Sequence, residues 1–417
     1  MPEDINPWSN HRAVDTEKVF SEFGIEPIGS LVDKIPDPPA FFRRGIVVGH
    51  RDYDRIVDAM VHHTPFHVLS GFMPSGHPHL GHLLVMQEIV WHVRRGGCGY
   101  VAIADREAHA VRNISWEKCR EHAAEYLRCL YALGFEGTTY AQSTNDVLKD
   151  LAFEAATRVN FSDLSAIYGF SQETGLAHAM SVITQVADIL YPQVDAGPAP
   201  TIVPVGIDQD PHIRLTRDVA HKMRMFTVEQ REGYVSVRSK NAPPEALDAI
   251  HRTYPGSKKY EGHVDIREAA LDAVKDRIRC IEREFGGYGF VTPSSTYHTF
   301  MPGLQGGKMS SSIPESSFGF YEPEKDIKKK VMSALTGGRV SLEEQKRLGG
   351  EPDQCPVFLL NLFFLVDDDA ELEEIRRACL AGDLMCGACK KETFERVKEF
   401  LHEFHEKMDE VEHLVEV

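Results

Sequence analysis

The sequence predicts an α/β protein: a mostly parallel, doubly wound sheet followed by a C-terminal α-helical unit. Two observations predict it. Between residues 65 and 223, short runs rich in Val, Ile, Tyr and Phe alternate with helical patterns, and right-handed crossovers turn that order into a parallel sheet. From residue 336 onward the apolar spacing is helical only. With 417 residues, 42% apolar and 26% charged, the chain exceeds the usual size of one folding unit and has a globular composition.

The elements follow in order. "PFHVLSGF" (65–72) reads as a strand, residues 80–95 as a helix and "GYVAIAD" (99–105) as a strand. A helix then starts at the Ser115 cap and ends near Gly134. "GTTYAQ" (137–142) is a strand, "NDVLKDLAFEAATRV" (145–159) a helix, "APTIVPVGI" (199–207) a strand and "DQDPHIRLTRDVAHKM" (208–223) a helix. The tail contributes four helical patterns, beginning at "SLEEQKRLG", "PVFLLNLFFLV", "DDAELEEIRRACLAG" and "ETFERVKEF". Residues 1–64 are polar and interrupted by proline, which suggests an irregular extension. Residues 225–290 read as loop and short helix within the α/β unit. The expected division is therefore 1–64, 65–335 and 336–417.

A formal charge of −17 argues against broad, non-specific nucleic-acid binding, which needs clustered Lys and Arg. It leaves room for a local basic run such as "KDIKKK" (325–330). No apolar stretch is long enough to span a bilayer, and "MPEDINPWSN" has no signal-peptide pattern, so a cytoplasmic protein is expected. The eight cysteines are too few for a disulfide framework and are expected to be thiols. Cys386 and Cys389 form a CxxC. It is the one such pair, and Cys355 and Cys379 lack motif spacing to complete it, so no protein-held metal is expected.

The densest chemical signal is "HPHLGH" (77–82). Histidines at these positions could be surface or capping residues. They could instead bind zinc, but no HExxH and no matching cysteine or carboxylate pattern accompanies them. A third reading uses the context, in which a strand ends near Gly71, a loop of Gly and Pro follows, and a helix starts near Leu80. A strand, a glycine-containing loop and a helix start make a phosphate site. His79 and His82, three apart, share one side of the first turn. Gly81 leaves room for a flat group against the backbone.

His79-Leu80-Gly81-His82 resembles the HIGH signature of class I aminoacyl-tRNA synthetases, and "GGKMSSS" (306–312) resembles their KMSKS signature. "VGIDQDPHIRLTRDVA" (205–220) and "FFRRGIVVGHRDYDRI" (41–56) are similar to segments of the tryptophanyl enzymes of the archaeal and eukaryotic branch. The resemblance covers nearly the whole chain, most weakly at 225–290. It implies a Rossmann-like nucleotide fold with an α-helical anticodon-binding tail. The implied activity forms tryptophanyl-adenylate from tryptophan and ATP, with Mg2+ bridging the phosphates, and transfers the aminoacyl group to tRNA(Trp). A homodimer is implied as well.

By the same resemblance, His79 and His82 donate to the ATP phosphates and Gly81 packs against adenosine. Lys308 supplies a mobile positive charge, with Met309, Ser310 and Ser311 beside it in the ATP site. Ser311 stands where many members carry a second lysine, which puts the weight on Lys308. Gly206 and Asp208 are implied near ribose and adenine, and Asp208 also suits a cap of the helix that follows. Glu107, Gln185 and Gln209 are implied to contact tryptophan. Leu69 and Ala102 replace the Tyr and Gln of some members, which implies a differently built indole pocket. Rival readings are a tyrosine-specific enzyme of the same class, a nucleotidylyltransferase that uses no tRNA, and a non-catalytic tRNA-binding paralogue. The Asp210-Pro211 pair weighs against the first and the helical tail against the second. Retention of His79, His82 and Lys308 weighs against the third.

Overall fold

A computed structural model describes residues 20, 23–307, 309 and 313–415. Seven strands form the main sheet: β1 (Glu26–Pro27), β2 (Val47–Arg51), β3 (His67–Phe72), β4 (Cys98–Ile103), β5 (Gly137–Ala141), β6 (Thr201–Gly206) and β11 (Ser294–His298). Their order is β1-β2-β11-β6-β3-β4-β5. The pairs from β11 to β5 are parallel; β2 lies antiparallel on β11, and β1 closes that side antiparallel on β2. Within the parallel strands, chain order therefore runs outward from β3 to β5 in one direction and from β6 to β11 in the other, and ligands gather at such a switch point.

The switch point is open. β3 and β6 pair only at His67–Thr201 and Val68–Ile202. Beyond that, Pro204 has no N–H to extend the ladder, and its carbonyl accepts instead from Ser70 Oγ at 3.3 Å. The carboxyl halves of the two strands splay apart, and the crevice between them is the site described below.

The stretch before residue 64 holds more order than its proline content suggests. β2 pairs with β11, and Arg51 at its end donates to the buried carboxylate of Asp210 at 2.8 Å. Asp210 also receives Tyr297 Oη and pairs with Arg214. This fastens the N-terminal stretch to the start of the Asp210–Lys222 helix.

Residues 225–290 correct the sequence reading. They form a separate antiparallel sheet of β7 (Phe226–Arg231), β8 (Tyr234–Ser239), β9 (Lys258–Lys259) and β10 (His263–Ile266), ordered β7-β8-β10-β9. The helices Pro244–Thr253 and Leu271–Glu284 complete a small core around Phe226, Val235, Val237, Val264 and Ile278. The missed signal is a hairpin in which Glu232-Gly233, with Gly233 at φ +80°, joins two alternating strands.

After β11 the chain is helical among the described residues, with helices at Glu324–Ser333, Leu342–Leu348, Pro356–Leu360, Asp369–Ala381 and Cys386–Glu410. "PVFLLNLFFLV" is not one α-helix. At Asn361 it widens into a π-turn (Asn361–Leu365), where the buried Asn361 amide donates to Val357 O and Thr393 Oγ1.

Candidate active site

The helix Leu80–Arg94 follows β3 and packs on β3, β4 and β6, so its first turn stands at the open end of the crevice. That turn is closed by a reciprocal capping box built from the two histidines. His79 Nδ1 accepts from Gly81 N at 3.1 Å, and His82 Nδ1 accepts from His79 N at 3.2 Å. Each Nδ1 therefore offers its lone pair inward, and each ring carries its proton on Nε2. Burial lowers the pKa of His79 to about 4, and burial followed by the His79 ring lowers that of His82 well below its ordinary value. The pair is neutral at physiological pH, with ring centroids 4.0 Å apart, and each ring keeps one Nε2–H donor. That of His82 donates to Tyr126 Oη across 3.3 Å.

Gly81 has a more specific duty than leaving room for a base. A Cβ there would lie 3.0 Å from Cε1 and 3.1 Å from Nδ1 of His79, so the residue is small because the capping imidazole lies over it. His77 is turned away from the pair and binds Glu125 Oε2 through Nδ1 at 2.7 Å.

Two adjoining cavities open at this end of the sheet, and His82 and Gly206 line both. The first, about 250 Å³, is walled by His79, Gly81, Asp208, Met309, the segment 298–301 after β11, and Phe364 from the tail. An isolated antiparallel bridge between His79 and Gly319 joins the histidine turn to the chain downstream of "GGKMSSS". Met309 of "GGKMSSS" thus shares one cleft with the histidine turn. Lys308, Ser310 and Ser311 lie outside the described residues. A Cβ on Gly206 would meet Asp208 Oδ1 at 2.7 Å and the Phe300 ring at 2.9 Å, which explains the glycine. Asp208 sits in a 3-10 turn and accepts from Gln209 Nε2 at 3.3 Å; the N-cap position of the next helix belongs to Gln209, which makes no side-chain cap bond.

The second cavity, about 320 Å³, lies between β3 and β6 under the helix Leu176–Asp195. Glu107, Gln185 and Gln209 line it together, and Leu69 and Ala102 stand in its wall. Burial raises the pKa of the Glu107 carboxyl, opposed by Arg112 and His178. Sequence reading missed Asp188 and His212, which line the same space. Asp188 receives Tyr140 Oη at 2.9 Å and Gln142 Nε2 at 2.6 Å, yet burial outweighs these bonds and pushes its pKa up to about 7. His212 is bonded through Nδ1 to Tyr168 Oη at 3.0 Å, and burial lowers its pKa to about 3. A signal for Asp188 was present: a carboxylate one helical turn after Gln185 in the otherwise apolar "SVITQVADIL".

A parallel sheet opened at its switch point, with paired imidazole donors on the following helix, defines a class I nucleotide-binding catalytic unit. The pattern of the tRNA synthetases class I (W and Y) matches residues 61–238 and 269–402. The tryptophan–tRNA ligase of Methanosarcina acetivorans is 51% identical over 98% of this chain and 97% of its own, and that of Archaeoglobus fulgidus is 49% identical over 98% of both. The crystal structure of the tryptophanyl-tRNA synthetase from Aeropyrum pernix K1 superposes with a TM-score of 0.76 at 33% identity, covering 98% of this chain and 97% of that one. The chain belongs to the class I tRNA synthetases (W and Y), within the group of archaeal tryptophan–tRNA ligases.

Proposed function

We propose that the chain activates L-tryptophan with ATP to tryptophanyl-adenylate and transfers the aminoacyl group to tRNA(Trp). The observation that carries this reading is the adjacency of the two cavities through His82 and Gly206. It would set an α-phosphate beside a carboxylate, as the first step needs. In that step a carboxylate oxygen of tryptophan bonds to the α-phosphorus and pyrophosphate leaves. In the second, a terminal ribose hydroxyl of the tRNA takes the acyl carbon, loses its proton and releases AMP.

His79 and His82 would donate Nε2–H to phosphate oxygens from a neutral state, His82 by releasing Tyr126 Oη, which avoids burying two cations together. Gly81 would keep the His79 ring and the adenosine in register, and Gly206 and Asp208 would bound the ribose and adenine. Lys308, with Met309, Ser310 and Ser311, would place charge and donors on the pyrophosphate end; for Lys308, Ser310 and Ser311 the resemblance of "GGKMSSS" is the support. Glu107 would accept the indole N–H, and Gln185 and Gln209, with Asp188 near, would receive the ammonium group. Magnesium would enter with ATP as part of the substrate. Asp208 is the one carboxylate among the described residues lining the nucleotide-side cleft, so the oxygens for that ion would come chiefly from phosphate.

The divisions 65–335 and 336–417 are proposed as catalytic and anticodon-binding units after a 1–64 extension. A homodimer is proposed through adjacent helices that leave Phe153 77% and Leu176 81% exposed. No helix among the described residues is long and apolar enough to cross a membrane. Cytoplasmic placement is proposed because tRNA and ATP are met there. Amino-acid-dependent exchange of pyrophosphate into ATP tests the activity. Response to tryptophan alone is expected; silence with every amino acid removes the synthetase reading, and response to tyrosine removes the specificity.

A further inference from the structure

Cys386 and Cys389 looked incomplete in the sequence, yet folding brings two more cysteines to them. Cys355 precedes the Pro356–Leu360 helix, Cys379 sits in the last turn of Asp369–Ala381, and Cys386 and Cys389 occupy the first turn of the long final helix. The thiols of Cys379 and Cys389 each lie within electrostatic reach of Cys355 and Cys386, and of one another. The backbones that hold them cross at glycines where a side chain could not fit. A Cβ on Gly337 would stand 2.0 Å from Glu351 O, on Gly349 1.8 Å from Leu380 O, and on Gly382 2.4 Å from Gln345 O.

A second, independent feature points into the same space. Gln345 is 3% exposed, and its Nε2 is buried with no hydrogen-bond partner, although its Oε1 accepts from Arg339 N at 2.8 Å. A buried amide N–H without an acceptor is costly and calls for an explanation. The Cβ position of Gly350 is 2.9 Å from Cys379 Sγ and 3.0 Å from Gln345 Nε2, and that of Gly338 is 2.5 Å from Cys386 Sγ and 3.4 Å from Gln345 Oε1. The amide is thus flanked by two of the four sulfurs, where an N–H donor would meet metal-bound thiolate.

Separation selects the kind of metal. A single zinc ion at about 2.3 Å from each sulfur sets them roughly 3.8 Å apart. Among the described residues no three of these sulfurs lie within 4.8 Å of one another. A cubane of iron and sulfide binds each thiolate to a different iron and holds the four farther apart. We propose that Cys355, Cys379, Cys386 and Cys389 form a four-thiolate centre in the helical tail that holds an iron–sulfur cluster, with Gln345 donating a hydrogen bond to its sulfur.

The test is metal and sulfide content of the full chain purified without oxygen, and again after reconstitution with ferrous iron and sulfide. About four irons and four sulfides per chain with broad visible absorbance are expected. They should be lost in Cys386→Ser and Cys389→Ser and kept in Cys98→Ser and Cys280→Ser, which alter two exposed thiols elsewhere. Where a cysteine variant does not fold, Gln345→Met serves: it should keep the cluster with a more negative reduction potential, because hydrogen bonds to cluster sulfur raise it. One equivalent of zinc in place of iron, no metal after reconstitution, or a potential unmoved by Gln345→Met overturns the proposal. Tryptophan-dependent exchange in the same samples separates this result from the fate of the activity.

Discussion

The two adjoining cavities are built from different materials. The nucleotide side is a single helix turn in which His79 and His82 cap their own backbone, and burial lowers the pKa of both rings so that they stay neutral at physiological pH. The amino-acid side is assembled from β3, β6, the Asp105–Arg112 helix and the Leu176–Asp195 helix, and its Asp188 is poised near pH 7. A local motif yields fixed donors, whereas a tertiary pocket yields groups whose charge depends on occupancy and pH. Substitutions should therefore divide into those that lower the rate and those that weaken tryptophan binding.

The largest effects are expected on the nucleotide side. His82→Ala removes a donor and half of the capping box. It should lower kcat for pyrophosphate exchange about 100–1000-fold with little change in KM for tryptophan, the size seen when a transition-state donor is lost. Lys308→Ala should likewise depress adenylate formation far more than tryptophan binding, since its charge would matter chiefly in the transition state. Equal losses in rate and binding, measured by single turnover and fluorescence titration, would erase the contrast. Glu107→Gln should act in the opposite sense, raising KM for tryptophan about 10–100-fold while kcat moves less, because one buried acceptor for the indole is weakened.

A pH series sharpens the comparison further. The carboxyl of Asp188 is raised to about 7 from an ordinary value of 3.8. Its contribution to stability is complete below the unfolded value and lost as pH rises through about 7. An ammonium group bound nearby favours the ionised form, so KM for tryptophan should fall about 3–10-fold from pH 6 to pH 8, and Asp188→Asn should flatten that slope. Over the same range kcat/KM for ATP should show no inflection at 6.5, since His79 has moved down to about 4. The smallest effect belongs to Gly81→Ala. Its Cβ displaces the His79 ring by a few tenths of an ångström, which should raise KM for ATP a few-fold and cost about 1 kcal/mol in thermal unfolding.

The sequence by itself determined whatever rests on neighbours along the chain. The strand–helix alternation, the cap at Ser115 and the position of the histidine turn follow from local pattern, because caps and periodicity act within a few residues. The hairpin at Glu232-Gly233 carried a local signal as well, but its polar strands concealed it and the stretch read as loop and short helix. Tertiary structure decided what depends on distant residues meeting. It opened β3 from β6 at Pro204, placed Glu107 with Gln185, Gln209 and Asp188 around one cavity, and set Asp188 near neutrality by burial. It also gathered four cysteines with one unpaired amide, where spacing along the chain showed only a single CxxC. Burial and convergence are properties of the packed chain, so no local pattern could have announced them.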